Sequence, residues 1–279
     1  MKWPSKVVIV GGTHGNEWTG ITIVKHFQES LRKKFPQLEL EFLFANPEAY
    51  ALNKRFKDED LNRAFQYLDQ NKVSYEHARA KEIKSLIQVK ECLVIDLHTT
   101  TSNMGKTVII SEFTPVIFSL CAKIQEEFDD CRIIGAPDPS KKYLASQSEH
   151  GIILEVGPVA NGIVSADILE STLKMLDCLL DGIMKQRNPQ KRDLEIYQEA
   201  QDIFYPENDK GEINGYIHSY IQGKDFLPLK GKFKAFKTFQ GVDTELENEE
   251  ELYPIFINEA AYYSQKLAFT LCRKMSLSC

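Results

Sequence analysis

Residues 8–20 read VIVGGTHGNEWTG. A run of apolar residues stops at two glycines, and His14 and Glu17 follow three positions apart. A short continuous apolar run of this kind reads as a strand buried on both faces, as in a parallel sheet. The glycine pair marks a turn where the backbone must bend sharply or pass close to another segment. In open α/β sheets, ligands gather at the carboxyl ends of the strands. The stretch therefore predicts a buried strand followed by a turn presenting one imidazole and one carboxylate together. On a helical turn, the spacing puts both on one face.

The pattern repeats along the chain. Ile23, Val24, Phe27 and Leu31 fall on one helical stripe. LELEFLFAN is a second strand, closed by NPEAY, and residues 92–98 (CLVIDLH) are a third. Thr114 and Pro115 fit an N-cap and first helical position, followed by Ile117, Leu120, Cys121 and Ile124 at helical spacing. GIILEVG is another strand, and Leu169, Leu173, Leu176, Leu180 and Ile183 mark a long amphipathic helix. Strands alternating with helices predict an α/β domain with a largely parallel sheet. The character changes at KQRNPQKRD, residues 185–193, a polar stretch with a proline that reads as a linker. Beyond it lie short strand-like segments: GYIHSYIQG, GKFKAFKTFQG and YPIFI. The expected organisation is a first domain over residues 1–188 and a smaller β-rich domain over residues 189–279. ELENEEEL reads as a solvated acidic turn.

Composition narrows the class. The 279 residues are 43% hydrophobic and 27% charged, an ordinary globular profile with enough chain for a substantial core. The balance of 34 basic and 40 acidic side chains argues against nucleic acid or an anionic membrane as partner. No apolar run approaches a membrane span, and Val7–Val10 is too short for a signal-peptide core. The six cysteines form no CxxC pair and read as reduced thiols in the cytoplasm.

His14 and Glu17 together supply two of the three protein ligands of a catalytic zinc site. Spacing alone is weak: a chain with this composition yields about 0.5 HxxE matches by chance. His26 and Glu29 form a second match, inside a predicted helix, where they read as helix surface. The third ligand should come from another strand end, and His98 closes residues 92–98 before the polar turn TTTSNMG. Asp96 shares its strand face and is placed to fix the imidazole tautomer; the alternative is a satisfied, half-buried histidine. Glu155 stands in the apolar strand IILEVGP, where a carboxylate is costly unless paired or functional. It reads as a general base with a raised pKa, or as a strand-edge ion pair. NKRFKDEDLNRAF brings Arg55, Asn62 and Arg63 among acids, either as a solvated loop or as groups that clamp a carboxylate and polarise a carbonyl.

These stretches together resemble the succinylglutamate desuccinylase/aspartoacylase family of zinc amidohydrolases. The motifs GGTHGNEWTG, NPEAYALNKRFKDEDLNRAF, DLHTTTSNMG, LEVGPVANG and YPIFINEAAYYSQKLAF follow the family's order from residue 6 to about residue 270. The resemblance implies a zinc-carboxypeptidase-like α/β fold, a mixed sheet flanked by helices, with a C-terminal β domain partly shielding the entrance. It implies one zinc per chain on His14, Glu17 and His98, with Glu155 as general base and then proton donor. Arg55 would stabilise the oxyanion. Asn62, Arg63 and Tyr262 would hold the carboxylate end of a small N-acyl amino acid, and Lys266 matches a substrate-site lysine. N-acetyl-L-aspartate is the leading substrate by resemblance; N-acetylated aromatic amino acids and succinylglutamate are the rivals. A zinc carboxypeptidase with the same ligands is a further alternative. The oligomeric state stays open, a homodimer included.

One segment departs from the family. Relatives carry a tyrosine and, four residues on, an arginine that grips substrate carboxylate. Here the segment is KKYLASQSEHGIILEVGP, so Tyr143 would be the tyrosine and Gln147 would stand at the arginine position. A neutral amide there puts the preference for aspartate in doubt without touching the zinc chemistry.

Overall fold

The computed structural model describes residues 2–68, 70, 73–186 and 193–278. Within these, eleven strands form one sheet: β1 Lys6–Gly11, β2 Glu39–Phe44, β3 Cys92–Thr99, β4 Gly105–Ile110, β5 Cys131–Gly135, β6 His150–Gly157, β7 Asp193–Phe204, β8 Gly215–Ile217, β9 Leu229–Thr238, β10 Asp243–Ile255 and β11 Leu267–Ser278. The order across the sheet is β2-β1-β3-β6-β4-β5-β7-β11-β10-β9-β8. The first four strands are mutually parallel, β4 runs antiparallel to β6, and β5 and β7 return to parallel pairing. From β7 to β8 every pairing is antiparallel.

Seven helices flank or follow these strands: α1 Trp18–His26, α2 Gln28–Lys34, α3 Pro47–Ala51, α4 Leu61–Ala64, α5 Tyr75–Ile87, α6 Pro115–Glu127 and α7 Ala166–Lys185. Strand alternation divides the apolar residues of β1, Val7 to Val10, between two cores. Val7 and Ile9 join α1, α2, α6 and α7 on one face, while Val8 and Val10 join α4 and α5 on the other. A third core gathers residues of β8 to β11.

Several expectations need correction. The stripe Ile23–Val24–Phe27–Leu31 spans two helices, because the chain breaks at Phe27 (φ −108°, ψ 2°) between α1 and α2. ELENEEEL is not a turn but part of β10; its acids are exposed, and its irregularity falls between Asn248 and Leu252. β4, β5, β7 and β11 were not marked by the apolar runs, since β7 and β11 carry long exposed polar stretches. Of the linker reading at residues 185–193, residues 187–192 lie outside the described residues. The capping signal at Thr114 matches the structure, its hydroxyl accepting from the Ile117 N–H. Asn46 caps α3 in the same way, accepting from the Ala49 N–H, a cap that the sequence reading did not mark.

The chain leaves β1 for β2 on one side and later returns as β3 on the other. The carboxyl ends of β1 and β3 therefore flank a switch point, where the sheet opens a crevice. The two glycines after β1 serve that crevice. Gly12 adopts a left-handed conformation at φ 74°. His14 and Glu17 sit on a tight turn closed by Glu17 N–H to the His14 carbonyl at 3.3 Å, before α1 begins, rather than on the helical turn expected. Between them, Gly15 crosses α3 so closely that a β-carbon would stand 2.2 Å from the Ala49 carbonyl carbon and the Tyr50 nitrogen. Gly15→Ala should therefore lower unfolding stability by about 1–3 kcal/mol, the usual cost of overpacking. Chemical denaturation checks this, and an unchanged midpoint would show that α3 moves aside freely.

Candidate active site

Three strand ends and three loops converge on one cavity. The turn after β1 supplies His14 and Glu17, β3 supplies Asp96 and His98, and β6 supplies Glu155. His98 and Glu155 are paired in register across the β3–β6 ladder, so they share a sheet face. The loop between α3 and α4 brings Arg55 and Asp60, and α4 brings Asn62 and Arg63. Tyr143 comes from the loop before β6, and Tyr262 from a short 3-10 turn, Ala260–Gln265, after β10.

His14, Glu17 and His98 form a buried group whose ligand atoms lie within 4.8 Å of one another. Glu17 stands between the two rings, with Oε1 2.6 Å from His14 Nδ1 and Oε2 3.0 Å from His98 Nδ1. Each ring turns its other nitrogen to a second carboxylate. His98 Nε2 meets Asp96 at 2.8 Å, and His14 Nε2 meets Asp60 at 3.3 Å. Asp96 is itself held by the Thr13 hydroxyl at 2.8 Å, and Asp60 by Arg55 Nε at 3.1 Å. Two imidazoles and a carboxylate facing inward, each imidazole oriented from outside by a carboxylate, suit a divalent transition-metal ion.

The charges fit this arrangement. Burial opposes ionisation of Glu17, but the two histidines outweigh it and hold the carboxyl far below its usual range. Burial likewise works against charge on His98, while Asp96 and Glu17 raise its pKa well above normal. Asp60 is kept ionised against burial by His14 and Arg55. Glu155 differs. Burial pushes it up to about 8, with His98 opposing and Glu17 and Glu259 adding.

The cavity has a volume of about 70 Å³ and opens to solvent on one side. His14, Glu17, His98, Glu155, Arg55, Asn62, Arg63, Tyr143 and Tyr262 all line it. Asp96 lies behind His98, fully buried. Gln147 and Lys266 are not among the lining residues. The Gln147 carboxamide donates to the carbonyls of Lys141 and Tyr143, the latter at 3.0 Å, closing its own turn. Lys266 reaches the Gly211 carbonyl at 2.5 Å and Glu207 at 3.0 Å instead. Gln147 therefore stands outside the cavity wall, its amide taken up by its own turn rather than facing a substrate carboxylate.

Four acids escaped the sequence reading. Asp60 orients His14, and Glu199 on β7 lines the open side of the cavity. Glu259 accepts from Thr101 N–H at 2.8 Å, from Ser102 N–H at 3.2 Å and from the Thr100 hydroxyl. It thereby ties the C-terminal segment to the loop that follows His98. Glu76 is fully buried and receives the backbone N–H groups of Lys57 (2.7 Å), Asp58 (3.0 Å) and Glu59 (3.3 Å), fixing the Arg55 loop. Asp60 and Glu259 lay inside quoted motifs, but nothing in their spacing separated them from the exposed acids around them.

Purified protein should bind one divalent cation per chain, and the His14→Ala/His98→Ala double variant should bind none. Elemental analysis decides this; full occupancy in the double variant would exclude the site. The raised pKa of Glu155 makes a second test. In the ion-free protein, the unfolded chain loses this proton near 4.5 and the folded one only near 8. The stability penalty is thus absent below 4.5, grows between 4.5 and about 8, and is full above. Glu155→Gln should raise the melting midpoint of ion-free protein at about pH 9 and leave it nearly unchanged at about pH 4. Equal effects at both would remove burial as the cause.

Comparison with known proteins identifies relatives over the whole chain. The Succinylglutamate desuccinylase/Aspartoacylase catalytic domain matches residues 4–183, and the AstE/AspA barrel-sandwich hybrid domain matches residues 192–274. The chain is 36% identical to a probable aspartoacylase of Trichodesmium erythraeum, covering 99% of each. It is 37% identical to an N-acyl-aromatic-L-amino acid amidohydrolase (carboxylate-forming) of Xenopus tropicalis, over 97% of this chain and 93% of that one. Aspartoacylase of Mus musculus is 33% identical, over 98% and 94%. Among solved structures, murine aminoacylase 3 superposes with a TM-score of 0.91 at 29% identity, covering 100% of this chain and 98% of that one.

Proposed function

The chain belongs to the succinylglutamate desuccinylase/aspartoacylase family, and on that premise we propose that its cavity is a zinc-dependent amidohydrolase site in which His14, Glu17 and His98 hold the metal. The chain is a hydrolase that cleaves the amide bond of N-acyl amino acids, adding water to give a carboxylate and a free amino acid. One observation supports the site assignment above the rest. The His–Glu–His group and a carboxylate of raised pKa, Glu155, line the same cavity.

His14, Glu17 and His98 would hold the zinc, which would supply a Lewis acid for the amide carbonyl and lower the pKa of the attacking water. Glu155 takes the proton from that water and returns it to the leaving nitrogen. Its neighbours tune it for both tasks, because a carboxyl near neutrality can accept and donate. Arg55 stands 3.4 Å from Glu17 and is clamped by Asp60 at 3.0 Å, so its guanidinium is fixed beside the group where the oxyanion develops. Asn62, Arg63 and Tyr262 would bind the substrate carboxylate. Asn62 already accepts from Leu144 N–H at 2.9 Å, which leaves its amide N–H₂ to donate into the cavity. Burial keeps the Tyr262 phenol protonated, as a donor.

We assign residues 1–188 to the metal-bearing domain and residues 189–279 to a β-rich domain that completes the pocket with Glu259 and Tyr262. A cavity of about 70 Å³ walled in part by this C-terminal segment suits a small ligand rather than a peptide chain. That favours the deacylase over a carboxypeptidase. N-acetyl-L-aspartate and N-acetylated aromatic amino acids are the substrates to compare first.

Zinc-loaded protein should release amino acid from at least one of these substrates, and Glu155→Gln should lower kcat by roughly 10²–10⁴-fold. Metal content should stay unchanged in the variant. Near-normal turnover by Glu155→Gln would take Glu155 out of the reaction.

A further inference from the structure

Resting on the reading of the cavity as an N-acyl amino acid site, we propose that Glu199 is a specificity-determining residue that selects substrates whose side chain carries no negative charge. Four glutamates line the cavity: Glu17, Glu155, Glu199 and Glu259. Glu17 is bound between histidines, Glu259 is saturated by the loop after β3, and Glu155 faces the reaction. Glu199 belongs to none of these tasks. Among the described residues, its carboxylate makes no hydrogen bond and no ion pair, and it stands at the exposed mouth of the cavity.

Its place across the sheet gives the carboxylate a role. The cavity wall runs from Glu155 and Ile153 on β6 to Ile109 on β4, which pairs with Ile153. It continues to Ala136, just past β5, and to Glu199, the residue after Gln198, which pairs with Gly135. β6 and β7 are three strand spacings apart, about 14 Å. The backbone of an N-acetyl amino acid spans about 7 Å. A substrate seated at Glu155 thus leaves its side chain to run along Ile153, Ile109 and Ala136, with Glu199 at the far end. The wall is apolar and its end is acidic.

The cations on this side are Arg63, whose guanidinium lies 5.5 Å from the Tyr143 ring centre, and Lys142, whose ammonium lies 4.9 Å from it. Both act on Glu199 and partly offset its charge, while Asp202 reinforces it. With Arg63 committed to the α-carboxylate, one anionic group on the substrate has a partner. A second, on the side chain, approaches Glu199 instead and is repelled.

The test compares Glu199→Gln and Glu199→Asp with the zinc-loaded parent on N-acetyl-L-aspartate, N-acetyl-L-phenylalanine and Nα-acetyl-L-lysine. In Glu199→Gln, KM for N-acetyl-L-aspartate should fall about three- to tenfold with kcat little changed, and KM for the lysine derivative should rise. KM for the phenylalanine derivative should move less than about twofold, and added salt should shrink all differences between parent and variant. Glu199→Asp should keep the parent's ranking. Parallel changes for all three substrates, or none, would overturn the assignment, since a structural role does not sort ligands by charge. Absence of turnover by the parent on all three would instead overturn the reading of the reaction itself.

Discussion

A buried carboxylate between two imidazoles sets the terms for this molecule. Glu17 is 4% exposed, and an ionised carboxylate in such a place is strongly disfavoured unless its oxygens are filled. His14, His98, the Thr99 N–H at 3.1 Å and Arg55 fill them. Each of these partners then needs its own compensation. His98 is answered by Asp96, Asp96 by Thr13, His14 by Asp60, and Asp60 by Arg55, which returns to Glu17. The result is a closed ring of contacts, Glu17–His14–Asp60–Arg55, with a branch through His98 and Asp96 to Thr13. Removing one member leaves its neighbour buried and unpaired, so the cluster behaves as a unit rather than as a sum of pairs.

The circuit rests on backbone that must come very close, which explains the glycines after β1. It also rests on two loops with no regular structure of their own. Each loop is anchored by a carboxylate that takes backbone N–H groups: Glu76 holds residues 57–59, and Glu259 holds residues 101 and 102. Using N–H donors this way satisfies groups that a loop would otherwise leave bare, and stiffens the segments carrying Arg55 and the chain after His98. Because Glu259 comes from beyond β10, the C-terminal segment is fastened to the loop after β3 at the point where Tyr262 enters the cavity.

The sequence made the centre legible and the periphery obscure, for physical reasons. His14, Glu17, His98 and Glu155 stand out because polar groups at the ends of apolar strands are costly, and that contrast is local. The cap at Thr114 was readable because a threonine followed by proline ahead of an apolar helical stripe is also a local signal. Asp60, Glu76 and Glu259 were not, because their work depends on partners 17 to 159 positions away, among many acids of similar local setting. Gln147 shows the converse error. Counting from Tyr143 put it at a pocket position, but a buried amide in a tight turn is drawn to the free carbonyls of that turn, and Lys141 and Tyr143 claim it. β7 was missed because its exposed polar half carries no apolar run, and β11 because its buried first half passes into an exposed polar one, although backbone pairing holds both in the sheet.

Three of the cavity carboxylates divide their duties by how completely their oxygens are occupied. Glu17 and Glu259 are saturated by donors, which fixes their charge and their geometry. Glu155 makes no hydrogen bond among the described residues. Lying against an apolar strand and near two fixed anions, it is the one whose charge state the surroundings leave in balance. A proton carrier needs that balance: a strong donor would lock the carboxylate and remove its basicity, while a neutral apolar pocket alone would keep it protonated. His98, its register partner, supplies the opposing charge. The same strand pairing that aligns the β3–β6 ladder therefore sets both where Glu155 stands and how readily it gives up its proton.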